Sequence, residues 1–117
     1  MRRVSKPWGY ELIFAETERY AGKILHLEPG HLLSLQYHER KDETVYVLSG
    51  EVYLSVEVDG EMQEKKLGAG EAYRIAPGTR HRMRAEKAVD LVEVSSPELS
   101  DVVRLEDAYG RAGTTAP

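Results

Sequence analysis

Residues 30–50, GHLLSLQYHERKDETVYVLSG, place three side chains that can bind metal ions, Gln36, His38 and Glu43, at spacings that suit a metal site. Gln36 and His38 are two positions apart in an extended stretch, so their side chains project from one face. Glu43 follows four charged residues of turn-like composition and opens a β-branched and aromatic run over 44–48. The pattern predicts a hairpin that returns the Glu43 carboxylate beside Gln36 and His38, where the three side chains could share one ion.

A second imidazole is expected from the tight loop 76–79, which leads to His81. Two imidazoles, a carboxylate and an amide oxygen form a mixed nitrogen and oxygen site. We therefore expect one divalent metal per chain, with zinc as first choice and manganese, iron, nickel or cobalt as alternatives. The competing interpretation is a polar cluster in the mouth of a barrel that holds no ion. His26 and His31 lie outside this spacing, and we expect them at the surface or behind the ligands.

The elements that must position these residues are short strands. Alternating apolar residues and turn signals predict strands over 10–14, 21–27, 33–38, 44–48, 51–58, 62–67, 71–75 and 89–95. Asp59-Gly60 is a strong hairpin signal, and no amphipathic helix pattern precedes residue 98. The sequence predicts an all-β single domain over 1–117, a small antiparallel sandwich or barrel, with a helical turn within 98–108 and a frayed tail over about 110–117.

Two apolar features need packing partners. Lys6-Pro7-Trp8-Gly9 forms a rigid start to an N-terminal arm, and Trp8, the one tryptophan, is expected to anchor that arm by packing. The strand over 33–38 carries its apolar residues at odd positions, Leu33, Leu35 and Tyr37. If its polar face looks inward, this apolar face needs cover. We expect a homodimer to supply the cover, with an N-terminal strand of the same chain as the alternative.

Composition excludes several classes of protein. The 117 residues carry 16 Lys and Arg against 20 Asp and Glu, a net charge of −4 with both signs interspersed, which argues against a binder of nucleic acid or membrane surfaces. The absence of cysteine excludes disulfides and zinc–thiolate sites. No apolar run approaches a membrane span, and the first residues lack the apolar core of a signal peptide. We expect a soluble, cytoplasmic protein.

The spacing resembles that of a known superfamily. Gly30, Gln36, His38, Glu43 and Gly50 resemble the first cupin motif, with glutamine in place of its first histidine, and the segment from Gly70 through Gly78 to His81 resembles the second. The resemblance implies a single-domain cupin, a small jelly-roll β-barrel or double-stranded β-helix with an N-terminal arm. Within the cupins, the chain is most similar to the isomerase domain of type II mannose-6-phosphate isomerases. The stretches that carry this similarity are Lys6 to Gly9, Pro29-Gly30, Leu33 to Gln36, Pro77 to Thr79 with His81-Arg82, Val92 to Val94, and Val103-Arg104 with Asp107, Tyr109, Gly110 and Arg111.

The resemblance implies an isomerase that converts mannose 6-phosphate to fructose 6-phosphate through a metal-stabilised enediolate. It gives Glu93 and Arg104 catalytic roles, Glu93 as the base, and makes Lys23, Arg104 and Arg111 the cations that bind the sugar phosphate. Two alternatives stay open: a non-catalytic metal-binding cupin that binds a sugar or sugar phosphate, and a metal-dependent oxygenase or epimerase. Gln36 as a ligand favours the isomerase over the oxygenase.

The chain also departs from the family pattern. Glu39-Arg40 follow His38 where type II isomerases have a row of three histidines, and Ala85 replaces an asparagine. No counterpart of the nucleotidyltransferase half of the bifunctional enzymes is present, so pyrophosphorylase activity is not expected.

Overall fold

Most of this chain is β-structure, because apolar side chains at every second position can be buried on one face of a strand. A computed structural model describes residues 1–113 and contains, within that range, eleven strands and no helix. The strands are β1 (Arg2–Lys6), β2 (Gly9–Glu16), β3 (Ala21–Leu27), β4 (Leu35–Tyr37), β5 (Glu43–Ser49), β6 (Glu51–Val58), β7 (Glu61–Gly68), β8 (Ala72–Ile75), β9 (His81–Arg84), β10 (Val89–Ser95) and β11 (Val103–Glu106). The predicted all-β class is confirmed.

The strands form two antiparallel sheets that enclose one core. The six-stranded sheet has the order β1-β2-β3-β10-β5-β8, and the five-stranded sheet has the order β11-β4-β9-β6-β7. On β6, Val52, Leu54 and Val56 are at most 1% exposed because every second side chain points into the core. β6 turns into β7 at Asp59-Gly60, where both residues have positive φ, as the predicted hairpin requires.

The chain passes from one sheet to the other at three connections that matter for the site. These connections join β4 to β5, β5 to β6, and β8 to β9. The predicted hairpin between Gln36 and Glu43 is therefore wrong, since β4 and β5 belong to different sheets. A charged turn-like segment does not reveal whether the next strand pairs with the previous one or crosses to the opposite sheet. The crossing still brings Glu43 opposite His38, across the interior rather than along one sheet.

The N-terminal arm is a tight hairpin. β1 pairs with β2, with Lys6 opposite Gly9, so only Pro7 and Trp8 form the turn. Trp8 is 3% exposed and belongs to the apolar core, as expected for a packing anchor. Gly9 is required here, because a Cβ at this position would lie 1.9 Å from the carbonyl oxygen of His26. This arm fixes Lys6 at the rim of the core.

The C-terminal segment forms a strand where a helical turn was predicted within 98–108. β11 pairs with β4, with Arg104 opposite Gln36, because the alternating residues Val102 and Arg104 are buried while Leu105 and Glu106 are exposed. The predicted tail begins inside the described residues: the Gly113 amide donates to the Arg104 carbonyl over 2.9 Å. Residues 114–117 lie outside the described residues.

The apolar residues predicted to share one outward face of the strand over 33–38 differ in their burial. Leu33 is 6% exposed and belongs to the core, and the next residue, Ser34, is also buried, so burial does not alternate from one residue to the next here. Leu35 and Tyr37 are half-buried. In residues 1–113, no helix has the length and hydropathy needed to cross a membrane.

Candidate metal centre

Three of the four predicted ligands meet in the interior. His38 and His81 come from the five-stranded side, and Glu43 begins β5 of the six-stranded sheet. The Nε2 atoms of His38 and His81 lie 3.5 and 3.3 Å from Glu43 Oε1, and the three residues are at most 5% exposed. A tetrahedral site with metal–ligand distances of about 2.1 Å separates its ligand atoms by roughly 3.4 Å. The spacing of these donors therefore fits a single divalent ion.

The backbone orients both imidazoles toward Glu43. His38 Nδ1 donates to the carbonyl of Asp101 over 2.5 Å, and His81 Nδ1 donates to the carbonyl of Thr79 over 2.9 Å. With the protons on Nδ1, the Nε2 lone pairs face Glu43, and neither Nε2 has a hydrogen-bond partner among the described residues. Histidines that ligate metals are held in this way by their second ring nitrogen. Three buried lone pairs converge, and a cation is the group that satisfies them.

Gln36 stands beside this cluster. It lies opposite His81 in the pairing of β4 with β9, and its side chain lines the same cavity as His38. Its Oε1 accepts a hydrogen bond from the Ser34 hydroxyl over 3.2 Å. Its role as the fourth ligand stays a prediction.

The loops that carry the two histidines are tied together. The Gly78 amide, in the loop before β9, donates to the His38 carbonyl over 2.6 Å. The Asp101 carboxylate accepts from the amides of Glu39, Arg40 and Lys41 at 2.7–3.1 Å. The backbone on both sides of the cluster is thus fixed before any metal binds.

A row of alternating buried charges continues from Glu43. Lys41 Nζ lies 2.9 Å from Glu43 Oε2 and 3.0 Å from Glu93 Oε2. Lys23 Nζ lies 4.0 Å from the same Glu93 oxygen and 3.3 Å from Glu11 Oε1. All five residues are at most 8% exposed. Since Lys41 takes Oε2 of Glu43, the other oxygen, Oε1, is the one that faces the imidazoles.

Burial and neighbouring charges set the protonation of this row. In the metal-free protein, burial acts to raise the pKa of Glu43, but hydrogen bonds from His38 and His81, when a proton occupies Nε2, and the Lys41 ammonium hold that pKa well below its usual range. Burial lowers the pKa of Lys41, yet Glu93 and Glu43 outweigh it and the pKa is raised. The pKa of Glu93 is raised, first by burial and then by the charge of Glu43.

A cavity opens beside the cluster and collects the other predicted residues. Glu93, Lys23, Arg104 and Arg111 all line it, together with Gln36 and His38. Arg104 is 6% exposed, and burial followed by the charge of Arg111 lowers its pKa. Arg111 makes a bidentate ion pair with Asp107, at 3.0 and 3.1 Å. Every predicted site residue thus belongs to one continuous region.

His26 and His31 lie apart from the cluster. His26 Nδ1 is 2.6 Å from Asp90 Oδ1 and its ring stacks on Tyr10, while His31 Nδ1 is 2.5 Å from the hydroxyl of Tyr109. Both are half-buried.

The family model described as the Cupin domain matches residues 23–95, which contain all four predicted metal ligands. The chain belongs to the cupin family. The predicted resemblance and cupin fold are confirmed, except for the C-terminal helical turn.

Relatives of this cupin include mannose-1-phosphate guanylyltransferases and a xanthan biosynthesis protein. It is 40% identical over 116 residues to the mannose-1-phosphate guanylyltransferase ManC of Salmonella typhimurium and 38% identical to the mannose-1-phosphate guanylyltransferase of Escherichia coli, in each case over 94% of this chain and 23% of the relative. It is 32% identical to the xanthan biosynthesis protein XanB of Xanthomonas campestris, over 94% of this chain and 24% of the relative. The chain spans about a quarter of the length of these relatives.

Solved structures show the same fold. KdgF from Halomonas sp. superposes with a TM-score of 0.70 at 24% identity, covering 84% of this chain and 89% of that one. A mutant of Bacillus subtilis oxalate decarboxylase superposes with a TM-score of 0.79 at 19% identity, covering 89% of this chain and 30% of the decarboxylase.

Two residues of the cupin site were missed by the sequence analysis. Lys41 lies in the segment interpreted only as a charged turn, although it precedes Glu43 by two positions and so shares its side in an extended backbone. Glu11 lies on β2, where a lone carboxylate in an apolar strand was the available signal. Neither fits a motif. Both became visible only when the opposing sheets placed lysines and glutamates in contact.

Proposed function

We propose that this cupin is a metal-dependent sugar-phosphate isomerase that interconverts mannose 6-phosphate and fructose 6-phosphate. The supporting observation is that the buried His38, Glu43 and His81 cluster borders a cavity lined with arginines and lysines. The relatives named for mannose-1-phosphate chemistry agree with a phosphorylated mannose as ligand. A cytoplasmic location, expected from the sequence, belongs to the same proposal.

Zinc is the metal proposed for His38, Glu43 and His81, with Gln36 as fourth ligand. When bound, a divalent cation supplies positive charge that stabilises negative charge developing on the oxygens of the sugar. The neutral imidazoles and one carboxylate leave a net positive charge on such a centre, which suits an oxyanion.

The protein residues supply the remaining chemistry. Conversion of an aldose to a ketose moves one proton between C1 and C2 and a second between the attached oxygens. We propose Glu93 as the base, because its buried carboxylate lines the cavity on the side of the metal cluster. Arg104 and Arg111, which line the same cavity, are proposed to hold the phosphate, since guanidinium groups bind phosphate oxygens in pairs.

A second candidate is a non-catalytic cupin that binds a sugar phosphate. It is favoured by position 85, where Ala85 is 1% exposed within the apolar core and supplies no polar group. By contrast, Glu39 and Arg40, which stand where type II isomerases have histidines, are exposed and donate only their backbone amides to Asp101. Their side chains lie outside the metal cluster, so these two replacements do not alter it.

A coupled assay on zinc-loaded protein tests the isomerase, with mannose 6-phosphate as substrate and glucose 6-phosphate as specificity control. Turnover of mannose 6-phosphate that disappears with a chelator and in Glu93→Gln supports the proposal. Calorimetric binding of the sugar phosphate without turnover overturns the isomerase and leaves the binding protein.

A further inference from the structure

The cavity carries a charge opposite to that of the whole chain. Its lining contains five cations, Lys6, Lys23, Lys41, Arg104 and Arg111, and two carboxylates, Glu11 and Glu93. The lining therefore has an excess of three positive charges (five minus two), while the chain has a net charge of −4. A partly enclosed cavity of one sign concentrates ligands of the other sign.

The two carboxylates of the lining are already engaged by lysines. Lys23 lies between Glu11 and Glu93, and Lys41 lies between Glu93 and Glu43. Because each of these lysines is buried between two carboxylates, an incoming anion would have to break both ion pairs to reach either ammonium. Arg111 differs, since it pairs with one carboxylate, that of Asp107, and its side chain is 21% exposed. Lys23, one of the cations predicted to bind phosphate, lies 3.3 Å from Glu11 and 4.0 Å from Glu93, and its role in binding phosphate stays a prediction.

Lys6 is in a different position. It is half-buried, ends β1, and makes no ion pair with any of residues 1–113. Burial lowers its pKa, and although Glu11 acts in the opposite direction, the charges of Lys23, Arg104 and Arg111 lower it further. The fold thus holds an ammonium among other cations, at a cost in free energy that a bound anion would offset.

The rigid turn behind Lys6 keeps it there. Pro7 and the buried Trp8 form the two-residue turn, and the Trp8 carbonyl accepts from the amide of Glu28 over 2.9 Å. Trp8 also lines the cavity. The ammonium is therefore carried by a fixed backbone at the rim, not by a mobile terminus.

We propose that Lys6, together with Arg104 and Arg111, forms an anion subsite that takes the phosphate dianion of the ligand. The inference rests on the proposed function in one respect, the identification of that phosphate as part of a sugar phosphate. Lys6 is a binding residue that the sequence analysis treated only as part of a rigid turn. A phosphate here is held by one ammonium and two guanidinium groups, while the rest of the ligand extends toward His38.

Inorganic phosphate is the probe that tests the subsite without turnover. Titration calorimetry on zinc-loaded protein should show phosphate binding, and Lys6→Met should weaken it about 10- to 100-fold, the loss of one charge-assisted hydrogen bond. Lys6→Arg should retain most of the affinity. Lys87→Met, which removes an exposed lysine outside the cavity, is the matched control and should leave the affinity unchanged.

Thermal unfolding separates binding from a structural role. In phosphate-free buffer, Lys6→Met should be as stable as the wild type or more stable, because it removes a half-buried cation from among like charges. A lower melting temperature in that buffer would make Lys6 structural and overturn the proposal. Unchanged phosphate affinity in Lys6→Met would overturn it as well.

Different experimental results would overturn the proposed subsite and the proposed isomerase activity. Phosphate binding that depends on Lys6, without turnover of mannose 6-phosphate, supports the subsite and overturns the isomerase. Turnover that is undiminished in Lys6→Met at substrate concentrations below KM overturns the subsite and leaves the isomerase standing.

Discussion

The imidazole of His38 donates its Nδ1 hydrogen to the backbone carbonyl of Asp101, 63 positions along the chain and 2.5 Å away. The carboxylate of the same Asp101 accepts from the amides of Glu39, Arg40 and Lys41, the residues that lead to Glu43. One residue near the C-terminus thus orients a metal ligand and shapes the loop between that ligand and the next. The metal cluster depends on a segment outside the residues matched by the family model.

Asp101→Asn should destabilise the protein at neutral pH and weaken metal binding. Burial acts to raise the pKa of Asp101, but the amides of Arg40, Lys41 and Glu39 outweigh it and the pKa is lowered from 3.8. A carboxyl whose pKa is lower in the folded state stabilises above its unfolded pKa, and this contribution is lost as the pH falls through the folded value. We expect a cost of about 1–2 kcal/mol at pH 7.

Urea denaturation between pH 7 and pH 3.5 measures this difference. The gap between wild type and Asp101→Asn should narrow below about pH 4, as the wild-type carboxyl becomes protonated. Asp59→Asn is the control, because asparagine tolerates the positive φ of that exposed turn. A gap that is constant with pH would contradict the role given to the Asp101 charge.

One divalent ion should bind per chain, and it should depend on both imidazoles. Elemental analysis of protein purified without chelator should find about one equivalent in the wild type and almost none in His38→Ala or His81→Ala. His26→Ala, which alters a histidine outside the cluster, should keep the metal. Full metal content in either cluster variant would rule out the site.

Metal removal should also lower stability. An ion that binds only the folded chain, present at 100 times its dissociation constant, stabilises it by about 2.7 kcal/mol. A chelator should therefore lower the melting temperature of the wild type and leave that of His38→Ala unchanged. Equal decreases in the melting temperatures of the wild type and His38→Ala would mean that the chelator does not act through the metal at this cluster.

The sequence predicted the meeting of His38, Glu43 and His81 better than the path of the chain between them. Residue type and spacing were enough to bring these three residues together, because a metal site needs such donors and the turn residues between them. The partner of β4 could not be predicted from the same pattern. A strand with a polar inner face has the same sequence pattern whether the next strand pairs with it or crosses to the other sheet. Only the opposing sheet decides that.

Buried charges were the least predictable part. Lys41 and Glu93 are each surrounded by apolar or charged residues in the sequence, where a solvated charge is the usual interpretation. Their burial is stable only because each meets an opposite charge from a different strand, and such a pairing has no local signal. The C-terminal helical turn failed for a related reason, since a short charged segment takes the structure of the edge it meets, here β4.

A homodimer remains a prediction, now resting on Leu35 and Tyr37, because Leu33 belongs to the core. Light scattering at micromolar concentration should give twice the chain mass, and Tyr37→Glu should give the mass of one chain, since a charge on that face opposes its burial. Tyr20→Glu changes an equally aromatic but 55% exposed residue in the connection between β2 and β3 and should leave the dimer intact. A wild type that scatters as a monomer would exclude the dimer.

Lys41→Met should be the most destabilising of these substitutions. Lys41 is the cation between Glu43 and Glu93, with Nζ at 2.9 and 3.0 Å from their carboxylates. Its removal leaves two buried carboxylates without the charge that separates them, at a cost of about 3–5 kcal/mol. Lys66→Met, which breaks the exposed pair with Glu51, should change stability little.

The double variant Lys41→Met with Glu93→Gln identifies the cause. If repulsion between the two carboxylates is responsible, neutralising Glu93 should restore much of the stability lost in Lys41→Met, as measured by urea denaturation of metal-free protein. Adding zinc should reduce the loss of stability in Lys41→Met, because a cation held by Glu43 replaces part of the charge that Lys41 supplied. A double variant no more stable than Lys41→Met, with or without zinc, would exclude repulsion between Glu43 and Glu93 as the cause, because methionine keeps most of the packing of the lysine stem.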